Sequence, residues 1–331
     1  MDSSEIAAHV ANLRDLDKLV IVNQRGEPAV WIGWIIALFF ENGETLEKRL
    51  LANRVLRDFL ATFGKYITHY DPVDANRLRE IGDLDVAAYS DRNAEEETAR
   101  DGRDGNDFYV ANIYGFPGGK EVVQPAPFYL AIAATYRARP AASYIVANFP
   151  LTWFPPGDDL TPVVDLFLRW CGIVKPAHGT ASPGLVFTQG GSPRSDFLSA
   201  YPLIQRFPGL DYVDAARWRA QNRADLRKIR TIGWLTAIDD GFVGSLGGTH
   251  HIRNKLGPDI PINPFPGGLV IQAGPEPRLG DRNRGDVPAP YRAVARLVDP
   301  LVFKAFRRGV FLPPAPLDAA QETQKWLHRF D

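Results

Sequence analysis

The stretch KLVIVNQRGEPAVWIGWIIALFF, residues 18–40, decides how the rest of the chain is read. Its second half, Ala29–Phe40, is the strongest membrane candidate, but it is 12 residues long and a helix needs about 20 to cross the bilayer core. QRGEP, just before it, has the Gly and Pro of a turn, and it follows a second apolar run, KLVIV. Two apolar runs joined by a turn read as a buried β-hairpin at about 18–39 and not as an anchor.

The segment after the hairpin switches period. In ETLEKRLLANRVLRDFLATFGKYI, residues Leu46, Leu50, Leu56, Phe59, Leu60, Phe63 and Ile67 recur at spacings of three and four. That is an amphipathic helix whose stripe lies on the hairpin's sheet, with Thr45 as its N-cap. Residues 88–107, AAYSDRNAEEETARDGRDGN, have no sizeable apolar side chain after Tyr89. The reading there is a mobile acidic loop, because so little apolar surface does not offset the entropy of ordering it.

Three aromatic and β-branched runs follow, at 107–116, 127–136 and 142–154, bounded by Pro, Gly or polar turns. With no helix between them, they form an antiparallel meander. DDLTPVVDLFLRWCG then gives a helix capped by Asp159 or Thr161 and ended by Gly172, and PGLVFTQ gives a strand. RTIGWLTAID, DGFVGSLGGTHHIRNKLG and GGLVIQAG repeat the order strand, helix, strand. The two units, Tyr144–Phe187 and Ile232–Ile271, have nearly equal lengths, which leaves a degenerate duplication into pseudo-repeated halves open, but side-chain identity between them is too sparse to decide it. PLDAAQETQKWLHRFD is a closing helix opened by Pro316 and Asp318, with Leu317, Ala320, Trp326, Leu327 and Phe330 available for burial. The fold class is α+β, a mixed and mostly antiparallel sheet or sheets with helices packed on one side.

Composition narrows the function. Hydrophobic residues make up 45% of the 331 positions, enough for a large core. Lys plus Arg number 38 against 39 Asp plus Glu, so no excess of positive charge favours tracking nucleic acid or an anionic membrane. Cys171 is the single cysteine; it lies on an apolar helical run and reads as a buried, inert thiol. MDSSEIAAHVANLRDLD has no basic start, apolar middle and small-residue cleavage site, which gives a cytoplasmic reading.

The most chemistry-like stretch is GSLGGTHHIR, residues 244–253. It lacks the spacing and lysine of a P-loop and the dinucleotide pattern GxGxxG. Consecutive His250 and His251 point about 100° apart on a helix, which does not bring both onto one ion. With Asp239 and Asp240 they make the alternative reading, a metal-dependent hydrolase. No HExxH, CxxC or GxSxG accompanies them, so the preferred reading has no metal, no cofactor and no catalytic residues. The Asp158–Asp159 and Asp239–Asp240 pairs sit at helix starts, where carboxylates ordinarily cap.

In combination, RTIGWLTAIDDGFVGSLGG, residues 267–303 and PLDAAQETQKWLHRFD, with SYIVANFPLTWF and HGTASPGLVFTQGG upstream, resemble the type VI immunity family. The resemblance runs from about residue 15 to the end, which makes 15–331 a single immunity domain behind an N-terminal segment, 1–14. It implies a protein that binds and neutralises a cognate type VI secretion effector, a DNase of the VRR-Nuc or restriction-endonuclease-like kind, by occluding its active site. It carries over no catalytic residue and implies no direct contact with nucleic acid or membrane. A nuclease cleft is electropositive, so acidic groups are the expected toxin-binding residues: Glu95, Glu96, Glu97, Asp101, Asp104, Asp158, Asp159, Asp239 and Asp240.

Overall fold

A computed structural model describes residues 16, 19–23, 26, 28–72, 77–100, 108–116, 125–137, 141–153, 159–189, 194–222, 227–310 and 312–331. The fold is α+β, built on one 11-stranded sheet in which every paired neighbour is antiparallel.

The hairpin stands at its centre. β1 (Val20–Val22) turns back onto β2 (Pro28–Phe40), whose 13 residues are almost all buried. One edge of β2 pairs with β8 (His178–Phe187); the other takes β1 and then β7 (Ser143–Pro150). A strand paired on both edges and covered on both faces has no polar side to show, which is why this run is continuous and not alternating.

From β7 the meander continues outward through β6 (Phe128–Thr135) and β5 (Phe108–Gly115) to the short β3 (His69–Tyr70) and β4 (Arg79–Glu80). From β8 the sheet runs the other way through β9 (Leu235–Asp239) and β11 (Gly268–Gln272) to β10 (Ile262–Phe265). β10 was not foreseen in the sequence. The two strand-helix-strand units also differ in topology: β7 and β8 flank β2, whereas β9 and β11 are directly paired. Equal length therefore does not reflect a duplicated arrangement.

Helix α1 (Leu46–Phe63) starts where expected, with the Thr45 hydroxyl accepting from the Lys48 amide. Its Phe63 packs 4.9 Å from Phe149 and 5.8 Å from Phe128. Residues 86–100 correct the loop reading, because they form helix α2 (Val86–Arg100). Apart from Val86 in its first turn, its buried positions are small or polar, namely Ser90, Asn93, Ala94 and Glu97, and its anchors come from elsewhere in the chain. The Tyr109 hydroxyl reaches Asn53 Oδ1 at 3.0 Å and the Ser90 carbonyl at 3.1 Å. The Tyr136 hydroxyl donates to Glu97, and buried Arg49 donates to Thr98 at 2.9 Å. Residues 101–107 lie outside the described residues.

Helix α3 (Thr161–Val174) buries Cys171 and Trp170 and runs through Gly172, ending at Lys175 in the left-handed region. Trp170 donates to Asp58 of α1 at 2.7 Å. α4 (Arg194–Arg206) and α5 (Ala215–Gln221) follow β8. The helix expected across 240–257 is two, α6 (Asp240–Ser245) and α7 (Gly248–Leu256), because Gly247 and Gly248 take φ of 88° and 87°, where a Cβ is strained. α8 (Ala289–Val298) and α9 (Ala319–Leu327) close the fold. Asp318 caps α9, and Trp326 and Phe330 are buried as expected, but Leu317 is 43% exposed.

The helices are not confined to one side. Phe149 and Tyr144 are five apart on β7, so they face opposite sides of the sheet. α1 covers the Phe149 face, while Trp218 of α5 packs 4.6 Å from Phe39, the cross-strand partner of Tyr144. His178 stacks 4.6 Å from the same Phe39, and its Nε2 accepts from the Arg230 amide at 3.3 Å. Burial, with Arg230 and Arg227 nearby, pushes its pKa down to about 3. The folded state thus keeps this imidazole neutral where the unfolded chain protonates it, at about 6.5. Its contribution to stability is complete above pH 6.5 and declines as pH falls toward 3, by about 2 kcal/mol at pH 5. Urea titrations at pH 7.5 and pH 5 check this: His178→Gln should remove that part of the difference, and an unchanged difference would remove His178 from it.

Candidate partner-binding face

On the Tyr144 side, α5 and the segment leading into it stop short of the outer meander. Among the described residues the sheet beyond this edge is uncovered, and together they enclose a cavity of about 610 Å³. Strand parity and register bring its floor together. Val110, Asn112 and Tyr114 of β5 lie opposite Ala133, Ala131 and Tyr129 of β6, which continue to Tyr144, Val146 and Asn148 of β7. The wall is the end of β8 with residues 212–216, held there because Asp211 bridges to β8 at Gly184. Only glycine allows that approach: a Cβ on Gly184 would lie 2.9 Å from the Asp211 carbonyl oxygen and 2.6 Å from Ile35.

The floor is aromatic, and its charged groups are acceptors. The Tyr114 and Tyr129 rings are 5.0 Å apart. Burial raises the pKa of Tyr114, Tyr129 and Tyr144, so all three stay neutral. Asn148 is 4% exposed and spends its amide nitrogen on the Ala126 and Pro127 carbonyls, at 2.9 and 3.0 Å; its oxygen remains as an acceptor. The charged side chains lining the cavity are Asp71 and Asp214. Asp71 accepts from Asn112 at 3.2 Å, and Asp214 caps α5 through the Arg217 amide at 2.9 Å while its carboxylate pairs with Arg217 at 3.5 Å.

Among the described residues, the acidic side chains expected from sequence do not converge on this or any other single place. Glu95 and Glu96 are exposed on α2, whereas Glu97 is buried and bound to Tyr136 and Arg100. Asp159 is exposed, one residue before the Leu160 N-cap of α3, and hydrogen bonds from the Thr161 side chain and from its amide, at 2.9 Å, hold its pKa below the usual carboxylate value. Asp239 caps α6 and forms a two-pronged pair with Arg227 at 2.8 and 3.0 Å. Asp240 is exposed beside it. From β9, where Asp239 sits, to β5, against which α2 packs, is five strand spacings, on the order of 24 Å. Asp101, Asp104 and Asp158 lie outside the described residues.

His250 and His251 are exposed on α7, and Asn254 donates to His250 at 3.2 Å. Among the described residues, no three His, Cys, Asp or Glu side chains cluster as metal ligands, so Asp239, Asp240, His250 and His251 are not brought together. No helix among the described residues is long and apolar enough to cross a membrane.

Residues 56–330 match the family described as TsiV, type VI immunity for VRR-NUC. The chain belongs to the TsiV family. Among solved structures, the Pseudomonas aeruginosa T6SS protein PA0821 is similar, with a TM-score of 0.76 at 17% identity over 99% of this chain and 91% of that one. At that identity the likeness concerns the fold. No curated protein matches. The TsiV match spans both the meander and the β9–β11 end of the sheet. The tyrosine-floored cavity therefore lies within the family's own region, except for Ile35 of β2.

Proposed function

We propose that this chain neutralises a nuclease toxin delivered by a type VI secretion system, binding it in the cytoplasm of the producing cell and covering its active site. The TsiV match over residues 56–330 carries this reading. A broad antiparallel sheet braced by helices supports it, because a rigid frame presents a contact face with little ordering cost on binding. The exposed carboxylates Glu95, Glu96, Asp159 and Asp240, spread over the molecule, suit long-range attraction of a basic nuclease more than a single contact patch.

The chain acts as a stoichiometric binder, without cofactor and without touching nucleic acid itself. Co-expression tests this. Cells making the nuclease domain proposed as its cognate toxin should lose viability, and cells also making this chain should regain it. In vitro, DNA cleavage should stop at one chain per toxin. Protection persisting at about one chain per hundred toxins, and lost on replacing His250 and His251 with asparagine, would instead support the metal-dependent hydrolase reading with Asp239 and Asp240.

A further inference from the structure

We infer that the tyrosine-floored cavity on β5, β6 and β7 is where the toxin docks, and that its occupant is an arginine-bearing loop of the toxin's nucleic-acid-binding surface. The inference rests on the immunity reading and adds to it a surface, a chemistry and a set of residues.

Charge selects the occupant. Among the described residues, both ionised side chains in the lining, Asp71 and Asp214, are acidic, and Arg219 acts on Tyr144 from outside the lining. Arg217 partly satisfies Asp214 from outside the lining, which leaves Asp71, held by the neutral Asn112, as the less compensated carboxylate. A nuclease must present cations to the phosphate backbone, so its binding surface is complementary to such a lining.

Hydrogen bonding selects arginine over lysine. Asn148, 4% exposed, commits its amide nitrogen to two carbonyls and leaves its oxygen as the acceptor at the floor. Leaving such an acceptor dry and unpaired on binding would be costly, so the occupant must donate there. A guanidinium supplies five donors in one plane and lies flat against aromatic faces such as those of Tyr129 and Tyr144. The floor is also recessed and two strand spacings wide, on the order of 10 Å. That admits one loop and not a whole domain face.

The test uses the full chain and the purified nuclease domain proposed as its cognate toxin, with affinity measured by calorimetry at two salt concentrations. Asp71→Asn with Asp214→Asn keeps the cap and hydrogen-bond geometry and removes the charge; it should weaken binding at least ~10-fold and flatten the salt dependence. Val146→Arg places a cation on the half-buried floor and should weaken binding ~100-fold or more. Glu95→Lys with Glu96→Lys on α2 should change affinity by less than ~3-fold. Thermal midpoints verify folding, and if Val146→Arg fails to fold, the asparagine pair decides. Wild-type affinity in a folded asparagine pair, or loss confined to the α2 variant, would overturn the docking site and leave the immunity reading standing. Absence of binding by the unmodified chain would overturn the immunity reading, and the docking site with it.

Discussion

Arg230→Ala should lower the free energy of unfolding by about 3–5 kcal/mol, the cost of leaving a buried charge without its partner. Arg230 and Asp211 are both nearly inaccessible, and their two-pronged pair has distances of 3.0 and 2.6 Å. The guanidinium also donates to the Tyr212 carbonyl at 2.7 Å and the Thr180 hydroxyl at 3.0 Å. Alanine strips Asp211 of its counter-charge while the carboxylate stays buried. The double change Arg230→Met with Asp211→Leu removes the orphaned carboxylate but takes the compensating charge of Asp211 from buried Arg329, so the difference between the two variants reads how far Arg329 depends on Asp211. Urea unfolding reads both, against a typical total of about 5–15 kcal/mol. A loss below about 1 kcal/mol for Arg230→Ala would mean that the pair does not hold segment 211–216 to the sheet. Because that segment is the cavity wall, toxin affinity should fall together with stability.

Trp218→Ala should be comparably severe, about 3–5 kcal/mol. Helix α5 has seven residues, too few to persist unaided, so its position depends on docking. Trp218 is fully buried between Phe39 at 4.6 Å and His178 at 5.1 Å. Removing the indole leaves a cavity under the helix and frees the residues that carry Asp214 to the rim. Trp218→Phe keeps most of the packing, and its indole nitrogen has no hydrogen-bond partner to lose; it should cost less than about 1.5 kcal/mol. Equal losses for alanine and phenylalanine would show that something other than packing volume holds α5.

The contrast between what sequence revealed and what it hid follows from the range of the interactions. The hairpin, α1 with its Thr45 cap and the three meander strands are set by local period and local turns, and all were legible. Helix α2 was not. After Val86 its buried face is Ser90, Asn93, Ala94 and Glu97, and what fixes it is Tyr109 of β5, Tyr136 just past β6 and Arg49 of α1. Among the acidic residues expected to bind the toxin, Glu97 and Asp239 proved to be occupied within the fold. The cavity left one trace: Tyr114, Tyr129 and Tyr144 sit one per strand on consecutive strands. Parity puts them on one face only once the register is known, and the register comes from the loops and the sheet edge, not from any motif. Asp71 and Asp214 lie outside the meander and gave no signal at all.

Calorimetric titration of this chain into the nuclease domain proposed as its cognate toxin tests the central claim most directly. One-to-one binding with a dissociation constant of about 10 nM or tighter, accompanied by loss of DNA cleavage at the same ratio and weakened by Asp71→Asn with Asp214→Asn, is the predicted result. No heat of binding, with cleavage unaffected at equimolar chain, would contradict it.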